Sequence, residues 1–426
     1  MSESTRRDFV AGTAAVTATA AASQMFSAFA AGNDTIKVGL IGCGGRGSGA
    51  IGDCLAADKS VKFWAAGDVF LSQAENTVKA YKESSGDRVD CAGRVFGGLD
   101  AVDQVLASGV DLVILAAPPG YRPPHLEAAI KAKKHIFCEK PMGVDGPGIK
   151  KALGLVEEAK KNNLAIVAGT QRRHEVGYIK TMEKIHGGAI GDIISARCSW
   201  NGSEPWFKAR KPGQSDVEYQ LMNWYHFVWL SGDHIVEQHV HNLDVINWAM
   251  KGHPLKAVGQ GGRIGRRDLK DPRNGGVAGV GHIYDLFSIE YEYAGGVPMY
   301  SYCSHVPGTT QDVSETIYGS KGTSQISSYK IGKDTVHKRD RAELSPYVQE
   351  HIDLIQSIKA GKPLNELQAV AESTLTAVMG RMAVYSGKVV TWDMALNSTV
   401  DTMPKDIDLK SALAVPAVAV PGKYKV

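Results

Sequence analysis

Three groups of residues in this chain are of the types and spacing that chemistry needs. The first is the glycine cluster Gly42-Cys43-Gly44-Gly45-Arg46-Gly47. It closes a β-branched run and precedes a helical stretch, Ser48 to Ala57. In that setting the glycines permit a tight turn and a close backbone approach to a pyrophosphate, which then rests on a helix N-terminus. The second is Asp68, which ends Ala65-Ala66-Gly67-Asp68. Its distance along the chain from Gly42 suits an acid that binds ribose hydroxyls, and a carboxylate there repels a 2′-phosphate. The expected cofactor is therefore NAD rather than NADP. An aspartate that only caps the next helix is the plainer alternative. The third is Cys138-Glu139-Lys140-Pro141, directly after an apolar run. It puts Lys140 at a strand's C-terminal end, in the ligand crevice of an open α/β sheet. A surface lysine before a turn is the alternative.

These residues need elements to hold them. From Thr35 to about Gly169, apolar runs alternate with helical ones. The strand-like runs are Lys37–Ile41, Val61–Ala66, Val110–Ala116, His135–Cys138 and Ala165–Ala168. Helical segments include Leu71–Glu83, Leu126–Lys133 and Ile149–Lys161, with Pro123 and Pro124 where a helix starts, a place proline tolerates. Continuous apolar strands predict a parallel sheet buried on both faces, hence a doubly wound α/β domain. After Gly169 the runs alternate: Ile193–Trp200, His282–Tyr293, Met299–His305 and Glu315–Tyr318. They predict a mostly antiparallel sheet with one open face. Helices return at His351–Ala360 and Ala369–Ser386, and Pro404–Val426 reads as an extended tail. The expected division is 33–169, a Rossmann domain; 170–400, an α+β domain for substrate and association; and 401–426, the tail.

The bulk numbers narrow the class. The 426 residues suffice for two domains, and 43% hydrophobic with 22% charged residues is ordinary for a globular protein. A net charge of +3 does not suggest a nucleic-acid surface. The six cysteines form no CxxC pair, so buried free thiols are expected rather than a thiolate zinc site. The N-terminus carries Thr5-Arg6-Arg7-Asp8-Phe9-Val10, then an alanine-rich run ending in Ala28-Phe29-Ala30. This is the pattern of a twin-arginine export signal over residues 1–31. The run is too short and too alanine-rich for a stable membrane span, and retention as an uncleaved anchor is the alternative. That route exports folded proteins, so a periplasmic enzyme of this kind leaves the cytoplasm with its dinucleotide loaded. Little free nicotinamide exists outside, so it should hold that cofactor tightly and regenerate it on site.

Several ordered matches resemble the glucose–fructose oxidoreductase and inositol dehydrogenase family (Gfo/Idh/MocA). They are the glycine loop, Asp68, Ala117-Pro118-Pro119 with His125, Glu139-Lys140-Pro141, Gly191-Asp192-Ile193, the Gly232-to-Asp244 segment and Tyr318-Gly319-Ser320-Lys321-Gly322. The resemblance implies a Rossmann domain followed by an open-faced sheet domain through which copies associate as a homo-oligomer. It implies a cofactor site built from Gly42, Gly44, Gly45, Arg46, Gly47, Asp68, Pro118, His125, Glu139 and Lys140. It also puts Lys140 beside the nicotinamide and the reacting hydroxyl, and it matches His241 to the catalytic histidine. Glu237 stands where the family usually has aspartate, a departure of one methylene.

On a helix, Glu237, His241 and Asp244 share one stripe at i, i+4 and i+7, so Glu237 is expected to orient His241 and stabilise its protonated form. Removing a hydride from a carbinol carbon requires the hydroxyl proton to leave as well. A histidine titrating near neutrality suits that task, and a lysine stabilises the developing alkoxide. Read as a strand, the segment instead lines up Glu237, His239 and His241 like metal ligands; no metal is expected. For the substrate, Arg172 and Arg173 suit a carboxylate or sulfate, and Trp206 and Tyr225 suit a sugar ring. His239 and Asp244 complete the candidates. Core packing and a subunit interface are the plainer uses of the aromatic stretch between Trp200 and Trp229.

The expected activity is oxidation of a carbohydrate or polyol hydroxyl with an internally recycled cofactor. A redox-neutral hydrolase or lyase remains open, in which transient oxidation acidifies a neighbouring C–H bond. A non-catalytic sugar-binding protein on the same fold is a third reading, against which Lys140 and His241 argue.

Overall fold

The computed structural model describes residues 35–264 and 281–426. The export signal expected over residues 1–31 lies outside the described residues. Six strands form one wholly parallel sheet in the order β3-β2-β1-β4-β5-β6: Ile36–Ile41 (β1), Val61–Asp68 (β2), Val95–Gly97 (β3), Leu112–Leu115 (β4), His135–Cys138 (β5) and Ile166–Ala168 (β6). Every residue of β4 is buried, as continuous apolar strands between two helical layers require. The strand order reverses between β1 and β4, which opens a crevice at their C-terminal ends. The short β3 has no apolar run to announce it. The helix Arg122–Lys131 takes Pro123 and Pro124 into its first turn, the place expected for them, and ends two residues before Lys133. The expected helix Ile149–Lys161 is two, Gly146–Gly154 and Val156–Lys161.

The second sheet has nine strands in the order β14-β13-β12-β11-β7-β10-β9-β8-β15. They are Ile193–Asn201 (β7), Lys256–Gly262 (β8), Leu286–Glu292 (β9), Pro298–Ser304 (β10), Asp312–Gly319 (β11), Gly322–Gln325 (β12), Lys330–Ile331 (β13), Asp334–Thr335 (β14) and Val390–Thr391 (β15). All neighbours are antiparallel except β7 and β10. Alternation along β10 is regular: Met299, Ser301 and Cys303 are buried, whereas Tyr300 and Tyr302 are exposed. The buried face packs on the helices Val240–Met250 and Leu367–Ser386. Val258, Tyr300 and Tyr302 remain exposed on the other.

Two helices from late in the chain join the domains. Leu367–Ser386 is almost wholly buried, touching β6 and the helix Gly146–Gly154 as well as β8 and β9. Pro346–Lys359 returns to the first sheet, where Leu354, Ile355 and Ile358 share a core with Ile36, Val38, Leu40 and Phe137. The first domain's core is thus completed by residues far beyond Gly169. All six cysteines are buried free thiols.

His174 fastens this arrangement. Its Nδ1 lies 2.6 Å from Asp353 Oδ2, and its Nε2 is 3.2 Å from Glu366 Oε1. Burial pulls its pKa down, but the bonds to Asp353 and Glu366 outweigh that and push it up to about 9. A histidine raised above its unfolded value of about 6.5 contributes fully below that pH and loses the contribution as pH rises through the folded value. His174→Gln should therefore cost roughly 1.5–3 kcal/mol at pH 6, the range for a hydrogen bond to a charged group. The wild type should lose stability between pH 6.5 and 9.5 more steeply than the variant. Urea titrations across that range check this, and parallel curves would rule out His174 as the source.

Candidate active site and cofactor cleft

The glycine loop follows β1. Gly42 has φ +91°, and a Cβ there would sit 2.4 Å from the Ala117 nitrogen. At Gly47 a Cβ would fall 1.8 Å from the Gly42 carbonyl oxygen, whereas Gly44 and Gly45 face open space. Two glycines therefore close the turn and two leave room above it. The helix Gly45–Ala57 starts with no side-chain cap, so its first amides remain available to an anion. This is the cradle a pyrophosphate needs.

Asp68 ends β2 beside this loop. Its Oδ2 accepts from the Cys43 amide at 2.7 Å and its Oδ1 from the Phe70 amide at 2.9 Å. Burial raises its pKa, against the lowering effect of those two bonds. The next helix, Leu71–Ser85, has no side-chain cap, so Asp68 holds the turn that leads into it, and the same carboxylate borders the cleft. That cleft, of about 720 Å³, is lined by Gly42, Gly44, Gly45, Arg46, Gly47, Asp68, Pro118, His125, Glu139 and Lys140, every residue expected at the cofactor. Arg46 is held by Glu139 and lies 3.3 Å from Glu350, a buried carboxylate whose pKa is raised by burial and by Glu139. His125 is stacked on Tyr121 and lowered to about 3 by burial, then by Arg122, so it is a neutral wall.

Across the cleft stands the Gly232-to-Asp244 segment. It is neither one helix nor a strand but two helices, His234–Glu237 and Val240–Met250, broken at Gln238-His239. The His239 amide bonds the His234 carbonyl five residues back, which widens the turn. The expected single stripe is thereby divided. Glu237 meets Lys140, its Oε1 accepting from Nζ at 2.8 Å and its carbonyl accepting from the same ammonium. Glu237 therefore positions the lysine, not His241, and its Oε2 is buried without a hydrogen bond. His241 lines the cleft with Trp200 stacked at 5.8 Å, and its Nδ1 has no protein partner. Its pKa lies well below the usual value because of burial, then Lys140, Arg172 and Arg46. The expectation of a stabilised imidazolium is corrected: the surroundings favour the neutral ring.

Trp206 and Tyr225 line the cleft, their ring centroids 5.6 Å apart, with Trp224 beside them. Arg172, Arg173, His239 and Asp244 do not. Arg172 is buried on Glu315 at 2.5 Å. Arg173 forks onto Asp244 at 2.9 and 2.8 Å, Asp244 also accepts from Ser373, and His239 Nε2 lies 2.8 Å from Ser301 Oγ. These four brace the wall rather than form it, because each finds a partner far away in sequence. No group of three His, Cys, Asp or Glu side chains converges as a metal site among the described residues. Gln171, Gln238, Lys208 and Tyr347 also line the cleft. Of these, only Gln238 had a signal in the sequence, its place beside Glu237.

A parallel sheet with an uncapped glycine loop at its switch point, facing a lysine–carboxylate pair and a neutral histidine, defines an α/β protein with the architecture of a dinucleotide-binding fold. Residues 36–170 match the family described as "Oxidoreductase family, NAD-binding Rossmann fold", and residues 178–325 match the "GFO/IDH/MocA C-terminal domain". The chain belongs to the Gfo/Idh/MocA family. It is similar to an inositol 2-dehydrogenase of Azotobacter vinelandii, 25% identical over 226 residues, which are 52% of this chain and 56% of that one. It is also similar to an uncharacterized oxidoreductase of Streptococcus pneumoniae, 29% identical over 38% of this chain and 41% of that one. The match thus spans about half the length of these curated relatives. Among solved structures, the fold is shared with an aldose-aldose oxidoreductase from Caulobacter crescentus complexed with glycerol (TM-score 0.63, 16% identity, covering 84% of this chain and 99% of that one). GenD2 from gentamicin A biosynthesis, in complex with NAD, shares it too (TM-score 0.62, 15% identity, 84% and 96%).

The glycine geometry carries a test. Gly47→Ala drives a methyl into the Gly42 carbonyl and should weaken NAD binding at least tenfold, measured by calorimetry on folded protein. Unchanged affinity would show that the loop can yield.

Proposed function

We propose that this protein is an exported NAD-dependent oxidoreductase that acts on a carbohydrate or polyol hydroxyl and recycles a retained cofactor. The observation that carries the reading is the meeting of Lys140, held by Glu237, with neutral His241 in the cleft that also holds the glycine loop and Asp68. When bound, the nicotinamide supplies the two-electron acceptor for the carbinol carbon. Lys140 donates to the substrate oxygen and stabilises its developing negative charge. His241 takes the hydroxyl proton. Trp206 and Tyr225 offer aromatic faces to a sugar ring. NAD is favoured over NADP by the Asp68 carboxylate. The twin-arginine pattern at Arg6-Arg7 supports export to the periplasm. Exposed Val258, Tyr300 and Tyr302 on the open sheet face support a homo-oligomer.

One observation favours a second reading, the redox-neutral hydrolase or lyase. Glu237 lines the same cleft and its carboxylate keeps one oxygen outside the pair with Lys140, a base for the C–H bond that transient oxidation would acidify. Absorbance of purified enzyme with candidate glycosides separates the two. A lasting reduced-nicotinamide band marks net oxidation; released aglycone without that band marks the redox-neutral course.

Lys140→Met and His241→Ala should each lower kcat by about a hundredfold or more, the usual worth of a positioned acid–base group, while the fold persists. Because the His241 pKa is depressed, kcat/KM should stay level from pH 7 down to pH 5. An acid limb near pH 6.5 that disappears in His241→Ala would contradict a neutral base, and near-normal turnover in either variant would remove that residue from the reaction.

A further inference from the structure

The cleft has an outer wall that comes from neither domain's sheet. Leu221 and Met222 line it together with Asp68, Val69 and Phe70. Both belong to the short helix Asp216–Met222, whose Val217, Tyr219 and Leu221 cluster with Phe227, Trp229 and Leu230. Val69 and Phe70, which continue directly from Asp68, pack against that cluster. The helix therefore stands beside the expected ribose end of the cofactor site. It has seven residues, far too few to hold its own position.

The C-terminal tail holds it. Met403, Ile407, Leu409 and Leu413 pack on the same cluster. Ser215 Oγ donates to the Leu409 carbonyl, Gln220 Nε2 to the Leu413 carbonyl at 2.7 Å and the Leu413 amide to Asp216 Oδ2 at 3.1 Å. Lys410 Nζ reaches Glu218 Oε1 at 2.6 Å. The segment is tied down at both ends. On one side the Thr402 amide and hydroxyl donate to Asp145 Oδ2 of the first domain, at 2.8 and 2.6 Å. On the other, Tyr284 donates to the Ala419 carbonyl and the Gly422 amide to the Ser386 carbonyl, both at 2.7 Å.

We propose that residues 403–413 form a strap that clamps the helix Asp216–Met222 beside Asp68 and thereby sets how long the dinucleotide stays bound. The proposal rests on the reading of this cleft as an NAD site. It supplies a physical means for cofactor retention that lies outside the glycine fingerprint: the strap's anchors on Asp145 and Ser386 let it resist displacement of the wall without touching the reacting end.

The test uses the full purified chain with Leu409→Ser and Leu413→Ser together, which leaves both anchors in place. Release of bound NAD is followed by displacement with a fluorescent dinucleotide analogue, and circular dichroism with thermal melting verifies the fold. Release should accelerate at least tenfold over wild type. Lys410→Glu, which only repels Glu218 at the surface, should accelerate it by a smaller factor. If the double variant does not fold, Leu409→Ala carries the same comparison. A folded variant that releases NAD at the wild-type rate overturns the strap. Rapid release from wild type overturns the retained cofactor but not the strap, which is judged by the ratio of the two rates. A wild type that binds no dinucleotide overturns both.

Discussion

The ion pair between Lys140 and Glu237 is the constraint around which the two domains meet. Two nearly buried charges are tolerable only when each satisfies the other, and here one comes from the end of β5 and the other from the far side of the cleft. A lysine left alone at that depth would carry a large desolvation cost. The pair therefore demands that Glu237 face the first domain. The turn at Gln238-His239 is wider than an α-helical one by one residue. It sends Glu237 to Lys140, His239 to Ser301 on the second sheet and His241 into the cleft.

The surrounding charges extend the same logic. Arg172 with Glu315, and Arg173 with Asp244, are buried pairs directly behind the cleft wall. The Arg172 charge reaches His241, which burial and Lys140 already disfavour as a cation. The result is a ring kept neutral by its setting, next to an ammonium kept in place by a carboxylate. A charged and a neutral titratable group thus stand in one cleft because their environments differ.

Much of the architecture was legible in the sequence. Uninterrupted apolar runs gave away the parallel sheet, since only strands covered on both faces can be so apolar. The regular alternation of Met299 to Cys303 marked a sheet with one open face. The glycine loop, Asp68 and Lys140 could be placed together because each directly follows a strand, and a parallel sheet brings all strand ends to one edge. Such residues are local in sequence to the element that positions them, so their location is decided by the chain's own short-range pattern.

What the sequence could not decide was partnership. Arg172 and Arg173 look like free cations in a line of letters. Their carboxylates lie 143 and 71 residues away, and only the packed fold brings them close. Glu237 had an apparent partner one turn along, yet a lysine 97 residues distant claimed it. Helix periodicity predicts neighbours on a surface, whereas burial selects whichever opposite charge satisfies a desolvated group. The tail after Pro404 shows the same limit: without periodicity it read only as an extended tail, and its position follows from an apolar cluster that exists only once the chain has folded. The sequence by itself determined the elements and the edge of the sheet where chemistry gathers. Tertiary structure decided which charges were spent on one another, because that depends on contacts no local pattern records.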